Sequence, residues 1–181
     1  MKIDFDGFMK ELENNDIEIA ELPELLVKEL SERKLKIATA ESCTGGLISK
    51  MITDVSGASA VFDCGVCSYA NEIKAKVLSV SEEDLRTKGA VSREVAMQMA
   101  KGVRELSGSD IGISTTGIAG PTGGSKEKPV GTVFIGVSTI GKNYGILANL
   151  AAKNATRDKI RQSAAFLAIY CGFKEAKGEN Y

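Results

Sequence analysis

Apolar positions along the chain change period several times, and each change marks an element. Residues 3–14 read as a helix, and residues 23–34 as a second. In the second, Leu22, Leu26 and Leu30 recur at i, i+4 and i+8, and Pro23 sits early, where its missing N–H matters least. A β-like run over 35–40 leads into a polar elbow and then a helix from Thr44 to Thr53. "DVSGAS" reads as a loop, "AVFDCGVCSYA" as a largely buried strand, and Asn71 to about Val80 as a helix. Ser92 is placed to cap a longer helix with Val95, Met99, Val103 and Leu106 on one apolar face. Strands follow at 110–115, 130–140 and 144–152, the last two joined through Gly141-Lys142-Asn143 as a hairpin. Thr156 can cap a final helix in which Ile160, Ala164, Leu167 and Cys171 share a face. Strands alternating with helices, plus one hairpin, imply a layered α/β fold with a mixed sheet.

One stretch resists this tiling. "TGIAGPTGGSKEKPVG", residues 116–131, has five glycines, two prolines and few apolar residues. A loop that long inside a compact domain is usually functional or disordered, and its glycines let backbone N–H groups turn together toward an anion.

Composition adds constraints. The 181 residues suit one domain with a sizeable core, and 43% hydrophobic with 26% charged is an ordinary globular profile. The amino terminus lacks an apolar signal region and no stretch holds 18 apolar residues, so the expectation is a cytoplasmic protein with no membrane contact. Its four cysteines are then expected to be reduced thiols. Residues 1–34 carry 5 Lys/Arg against 10 Asp/Glu, and residues 35–181 carry 18 against 14. The acidic segment reads as a solvated helical arm. The mildly basic body suits a small anion and lacks the basic stripe of a nucleic-acid binder. Histidine is absent, which removes every Ser-His-Asp or Cys-His mechanism and any zinc site that needs imidazole. Acid–base chemistry near neutrality then falls to Lys, Tyr or a carboxylate.

Four constellations carry candidate chemistry. Glu41-Ser42-Cys43-Thr44-Gly45-Gly46 forms a strand-to-helix elbow, where free N–H donors and a positive dipole end can serve a nucleophile or a phosphate. The plain alternative is a capped helix with a glycine-rich turn, and no Walker phosphate loop is present. Tyr69 and Lys74 bracket the next strand-to-helix junction, where a desolvated Lys can act as a base with Tyr as relay, or remain a solvated surface cation. Lys50 is a weaker rival, about 12 Å along the helix from Ser42. Arg157 and Arg161 lie one turn apart at a helix start, suited to a phosphate or carboxylate or merely solvated beside Asp158. Cys64 and Cys67 lie within an apparent strand, where they point apart, and are read as buried or half-buried structural thiols.

"AESCTGG", "SYANEIK", "GAVS" and "TGIAGPTGGSKEKPVGTV" occur in this order, and together they resemble the competence/damage-inducible CinA C-terminal family. The match runs from about residue 22 to 172. Stand-alone members of that family are nicotinamide mononucleotide deamidases. The resemblance implies a three-layer α/β/α sandwich and an amidohydrolase with no cofactor and no metal. Such an enzyme converts nicotinamide mononucleotide and water to nicotinate mononucleotide and ammonia, and is a homodimer or larger. Residue by residue, it puts the nucleophile on Ser42, the accompanying tyrosine and lysine on Tyr69 and Lys74, and a loop threonine on Thr116. The substrate-binding arginine falls on Arg157.

On this reading Thr44 caps the helix, and the N–H groups around Cys43, Thr44, Gly45 and Gly46 hold the oxyanion. Lys74, aided by Tyr69, takes the serine proton and returns it to ammonia. Asn71 joins the substrate side. The phosphate lies either in an amide nest of Gly117, Gly120, Gly123 and Gly124 or against Arg157. Glu41 either orients Lys74 or bonds backbone amides. Residues 1–21 are read as an acidic helical extension not needed for the core, and 22–181 as the amidohydrolase domain. Two other readings stand beside this one: a non-catalytic nucleotide-binding regulatory module of the same fold, and a thiol-disulfide protein using Cys64 and Cys67.

Overall fold

The computed structural model describes residues 2–151 and 155–179. Six strands form one sheet: β1 (Lys2–Asp4), β2 (Ile37–Glu41), β3 (Phe62–Cys67), β4 (Ile111–Gly117), β5 (Thr132–Ser138) and β6 (Asn143–Asn149). Their spatial order is β1-β6-β5-β4-β2-β3. Strand β2 runs parallel to both β3 and β4, and β1 parallel to β6, while β4, β5 and β6 pair antiparallel. The sheet is therefore mixed, as the alternation with one hairpin requires.

Helices cover both faces. Helices α2 (Leu22–Arg33), α3 (Leu47–Thr53) and α7 (Arg157–Lys177) lie on one side, with α7 packed on β4 and β5 and against α2. Helix α6 (Arg93–Ser107) spans β2, β4, β5 and β6 on the other, flanked by α4 (Asn71–Leu78) and α5 (Glu82–Thr87). Three layers result. Leu22, Leu26 and Leu30 are fully buried in the larger core with Ile160, Ala164, Leu167 and Cys171, as their spacing predicts. Ala38 and Ala40 join Val95, Met99 and Val103 in a second core on the opposite face of the sheet. Two cores on two faces explain why β2 is buried at every position, the polar Thr39 and Glu41 included.

Several expectations change. The acidic segment is not a solvated arm: α1 (Phe5–Asn14) starts on the Asp4 cap and buries Phe8 and Leu12 completely or nearly so. Phe8 packs against the Tyr170 ring, with centroids 5.7 Å apart. A short strand precedes this helix and extends the sheet, so this segment contributes to the core; Asp6 and Glu13 lie on the exposed face of α1, while Glu11 turns inward and accepts from Tyr170 (3.2 Å) and Lys174 (3.0 Å). Leu106 is 55% exposed, because periodicity fixes an angle around α6 and not how far its neighbours reach along it. The short helix α5, capped by Ser81, has no counterpart in the periodicity reading. The last residue read into the final strand, Ala152, lies outside the described residues.

Candidate active site

From β2 the chain passes to β3 on one side and later returns as β4 on the other. Parallel strands arranged this way leave a crevice at their carboxyl ends, where α/β folds bind ligands. The elbow sits there. Gly45 and Gly46 have φ of 62° and 94°, values that side chains other than glycine rarely adopt, so helix α3 starts at Leu47 and not at Thr44.

Its cap is not Thr44 either. The fully buried Glu41 carboxylate accepts from the N–H groups of Gly46 (2.9 Å), Ile48 (3.1 Å) and Ser49 (2.8 Å), and from the Ser49 hydroxyl (2.7 Å). Four donors and the dipole of a helix start satisfy this charge where water cannot. Glu41 therefore bonds backbone amides, the second of its two candidate roles. The Thr44 hydroxyl is paired instead with Thr115 across the sheet, at 2.7 Å.

What remains open at the elbow is informative. The N–H groups of Cys43, Thr44 and Gly45 donate to no oxygen among the described residues, and the Ser42 hydroxyl makes no hydrogen bond to any of them. Gly46 does not belong with these donors, because Glu41 takes its amide. Burial pushes the Cys43 thiol up to about 12, so this residue offers its backbone and not a thiolate. From the outside, Arg161 clamps the turn by donating to the carbonyls of Cys43 (3.2 Å) and Thr44 (2.7 Å).

Lys74 is 1% exposed, and its Nζ donates to the carbonyls of Ser68 (2.7 Å) and Tyr69 (3.1 Å) at the end of β3. Desolvation lowers its pKa from the ordinary lysine value. Ser68 in turn donates its N–H to the Glu41 carbonyl at 2.9 Å, so Lys74 is held one strand away from Ser42. Lys50 instead pairs with Asp54 on the surface.

Tyr69 meets Lys74 through its carbonyl, while its hydroxyl turns elsewhere and accepts from Arg157 at 3.2 Å. Its side chain is 65% exposed. Arg157 also donates to the Gly120 carbonyl at 2.7 Å, joining the glycine-rich loop to the Tyr69 turn. Neither Arg157 nor Arg161 has a carboxylate partner among the described residues. Two guanidiniums without a carboxylate partner, with several donors unused, have the chemistry to receive an anion.

The glycine-rich loop divides. Gly117 is the last residue of β4, paired with Val133, and belongs to the sheet and not to a loop nest. Gly120 and Gly123 have φ of 75° and 87°, and Gly124 packs so close to Val130 that a Cβ would meet its amide at 2.8 Å. Lys128 pins the loop by donating to the carbonyls of Lys88 (3.0 Å) and Val91 (2.7 Å). The Thr116 hydroxyl is buried and donates to Ala90 at 2.8 Å, so its neighbour Thr115 is the threonine brought to the elbow. Asn71 is exposed and lines a concavity of about 740 Å³ between α4 and α5 that contains neither Ser42 nor Lys74. Ser42 and Lys74 lie at the strand ends instead.

All four cysteines are free. Cys64 is half-buried against the second core, as read, but Cys67, the last residue of the edge strand β3, is exposed. Sequence reasoning left Glu41 undecided and passed over Thr115, Ser49 and Ser68. Alternation along β2 and β4 could have found Thr115, since Glu41 and Thr115 share a register pair.

The CinA C-terminal domain model matches residues 19–174. A CinA-like protein of Kosmotoga olearia is 48% identical over 148 residues, covering 82% of this chain and 35% of that protein. The chain spans about a third of the length of the curated relatives it matches. Among solved structures, the competence/damage inducible protein CihA from Agrobacterium tumefaciens superposes with a TM-score of 0.80 at 38% identity, covering 84% of this chain and 92% of that one. The CinA superfamily protein KP700603 from Klebsiella pneumoniae gives 0.83 at 28% identity, covering 89% and 99%. The chain belongs to the CinA C-terminal domain family.

Proposed function

We propose that this protein is a nicotinamide mononucleotide amidohydrolase that uses Ser42 as nucleophile and Lys74 as base. The observation that carries the reading is a buried lysine of lowered pKa held one strand away from an unengaged serine hydroxyl, in a chain with no histidine. Desolvation favours the neutral amine that a general base must be.

In the proposed reaction the Ser42 oxygen attacks the carboxamide carbon while Lys74 accepts its proton. The carbonyl π electrons move onto oxygen, and the N–H groups of Cys43, Thr44 and Gly45 receive that oxyanion. Backbone donors fixed in a turn, two of them on buried residues, are an arrangement that stabilises developing charge. Collapse expels ammonia, which takes the proton back from Lys74, and leaves an acyl ester on Ser42. Water, deprotonated by the same amine, adds to the ester carbonyl, and collapse releases the carboxylic acid product as the Ser42 oxygen takes the proton back from Lys74. Arg157, tied to Tyr69 and Gly120, would hold the substrate phosphate, and Tyr69 would act mainly by positioning it. The resemblance supplies the substrate, and the carboxylate-free arginines fit its phosphate.

The test is ammonia release from nicotinamide mononucleotide, with the riboside lacking phosphate beside it. The nucleotide should turn over and the riboside poorly. Ser42→Ala should lose at least roughly 10³-fold in kcat while binding stays measurable. Near-normal turnover in that variant ends the Ser42 mechanism, and binding without any ammonia release makes the protein a nucleotide-binding module.

A further inference from the structure

Ser68 sits immediately beyond β3, fully buried, and both of its backbone groups are committed to the site. Its N–H donates to the Glu41 carbonyl at 2.9 Å and its carbonyl accepts from Lys74 Nζ at 2.7 Å. Its hydroxyl is different. Among the described residues, Ser68 Oγ is the one buried side-chain nitrogen or oxygen without a hydrogen-bond partner. A buried hydroxyl left unpaired is destabilising, and folds keep such groups where a partner arrives or a function uses them.

Register says where this hydroxyl belongs. Glu41 pairs with Cys67 in the parallel ladder, so the next positions, Ser42 and Ser68, are neighbours across adjacent strand ends. In-register residues of parallel strands lie about 4.8 Å apart and present their side chains to the same face. Ser42 also carries an unengaged hydroxyl, and Lys74 Nζ is bonded to Ser68's own carbonyl. One staggered χ1 rotation moves a serine oxygen among three wells without disturbing the backbone.

We propose that the Ser68 hydroxyl links Ser42 Oγ to Lys74 Nζ and carries the proton between them, an inference that rests on the amidohydrolase reading. As the Ser42 oxygen bonds to the carboxamide carbon, its proton passes to Ser68 Oγ. The Ser68 proton passes at the same time to the neutral Lys74 amine. The Ser68 hydroxyl is restored, Lys74 becomes an ammonium, and the carbonyl oxygen holds the negative charge. The same chain run backwards returns a proton to the departing ammonia.

The experiment compares Ser68→Ala and Ser68→Thr with wild type, Ser68→Gly serving as a second hydroxyl-free variant should Ala not fold. Removing an orphan hydroxyl is neutral or stabilising, so Ser68→Ala should keep its Tm or raise it. Its kcat for ammonia release should fall roughly 10²–10⁴-fold with KM changed little, the signature of a lost proton-transfer group. Ser68→Thr, which keeps a hydroxyl, should recover much of the rate. If Ser68→Ala retains wild-type kcat and pH profile while Ser42→Ala is inactive, the relay is overturned and the amidohydrolase stands. If wild type releases no ammonia, the amidohydrolase reading falls. Lys74 titration, followed by NMR of lysine-labelled protein, then decides the link on its own. A midpoint moved by removing the hydroxyl supports it, and an unmoved midpoint overturns it.

Discussion

Glu41 and Lys74 are both buried at the same strand edge, yet the fold treats their charges in opposite ways. Glu41 receives four donors, three of them backbone N–H groups at the start of α3. Glu41→Gln removes the charge and turns one acceptor into a donor facing N–H groups. It should destabilise the fold by about 1–3 kcal/mol, measured by urea unfolding, because buried donors are left unmatched. An unchanged midpoint would mean that water serves those amides equally well. Lys74 receives only neutral carbonyls and is desolvated, which lowers its pKa. As the proposed base, Lys74 must be the neutral amine, so kcat/KM should be full above its depressed pKa and lost as pH falls through it. Lys74→Arg keeps charge but cannot give up its proton at working pH, so it should be nearly as damaging as Lys74→Met. A Lys74→Arg enzyme with the wild-type profile would pass the base role to another group. At this scale the sequence named the candidates but not their partners. "ESCTGG" offers several side chains able to cap, and only folded geometry shows that the carboxylate reaches the amides while Thr44 turns to Thr115.

At the scale of elements, periodicity was a good guide wherever one face of a helix meets the sheet. Leu22, Leu26 and Leu30, and Ile160 through Cys171, are buried as their spacing demands. It failed where length or context decides. Strand β1 has three residues, too few to show alternation, and exists because β6 offers it an edge. Helix α3 starts late because two glycines hold left-handed backbone, which apolar spacing cannot reveal. The amino-terminal helix was judged by its charge, although Phe8 and Leu12 at i and i+4 already specify a buried stripe. Phe8→Ala should therefore cost about 3–5 kcal/mol, as for other fully buried aromatics, read as a lower Tm or denaturant midpoint. A shift within error would return residues 1–21 to the status of an appendage.

For the whole molecule, the decisive feature is how far apart in sequence the site's parts lie. Arg157 opens the last helix, yet it bonds Tyr69, 88 residues away, and Gly120, 37 away. Such contacts exist only once the strand order places β2 between β3 and β4, so no local motif could announce them. The position also opposes the α7 dipole, which typically costs ~0.3–1 kcal/mol for a cation in the first turn. Arg157 is exposed and has no carboxylate partner among the described residues, which leaves its guanidinium able to take an anion, and the substrate phosphate is the proposed one. That contact would exist in both the bound substrate and the transition state, so its loss should fall on KM and leave kcat nearly intact. Arg157→Ala should raise KM for nicotinamide mononucleotide roughly 10- to 100-fold, the range of a charge-assisted hydrogen bond worth about 1.5–3 kcal/mol. The same variant should nearly erase the preference for the nucleotide over the riboside, which a general loss of structure would not do. Steady-state kinetics on both substrates provide the measurement. If KM for the nucleotide is unchanged, the phosphate lies against the amides of Gly120 to Gly124, and Arg157 serves only to hold that loop to Tyr69.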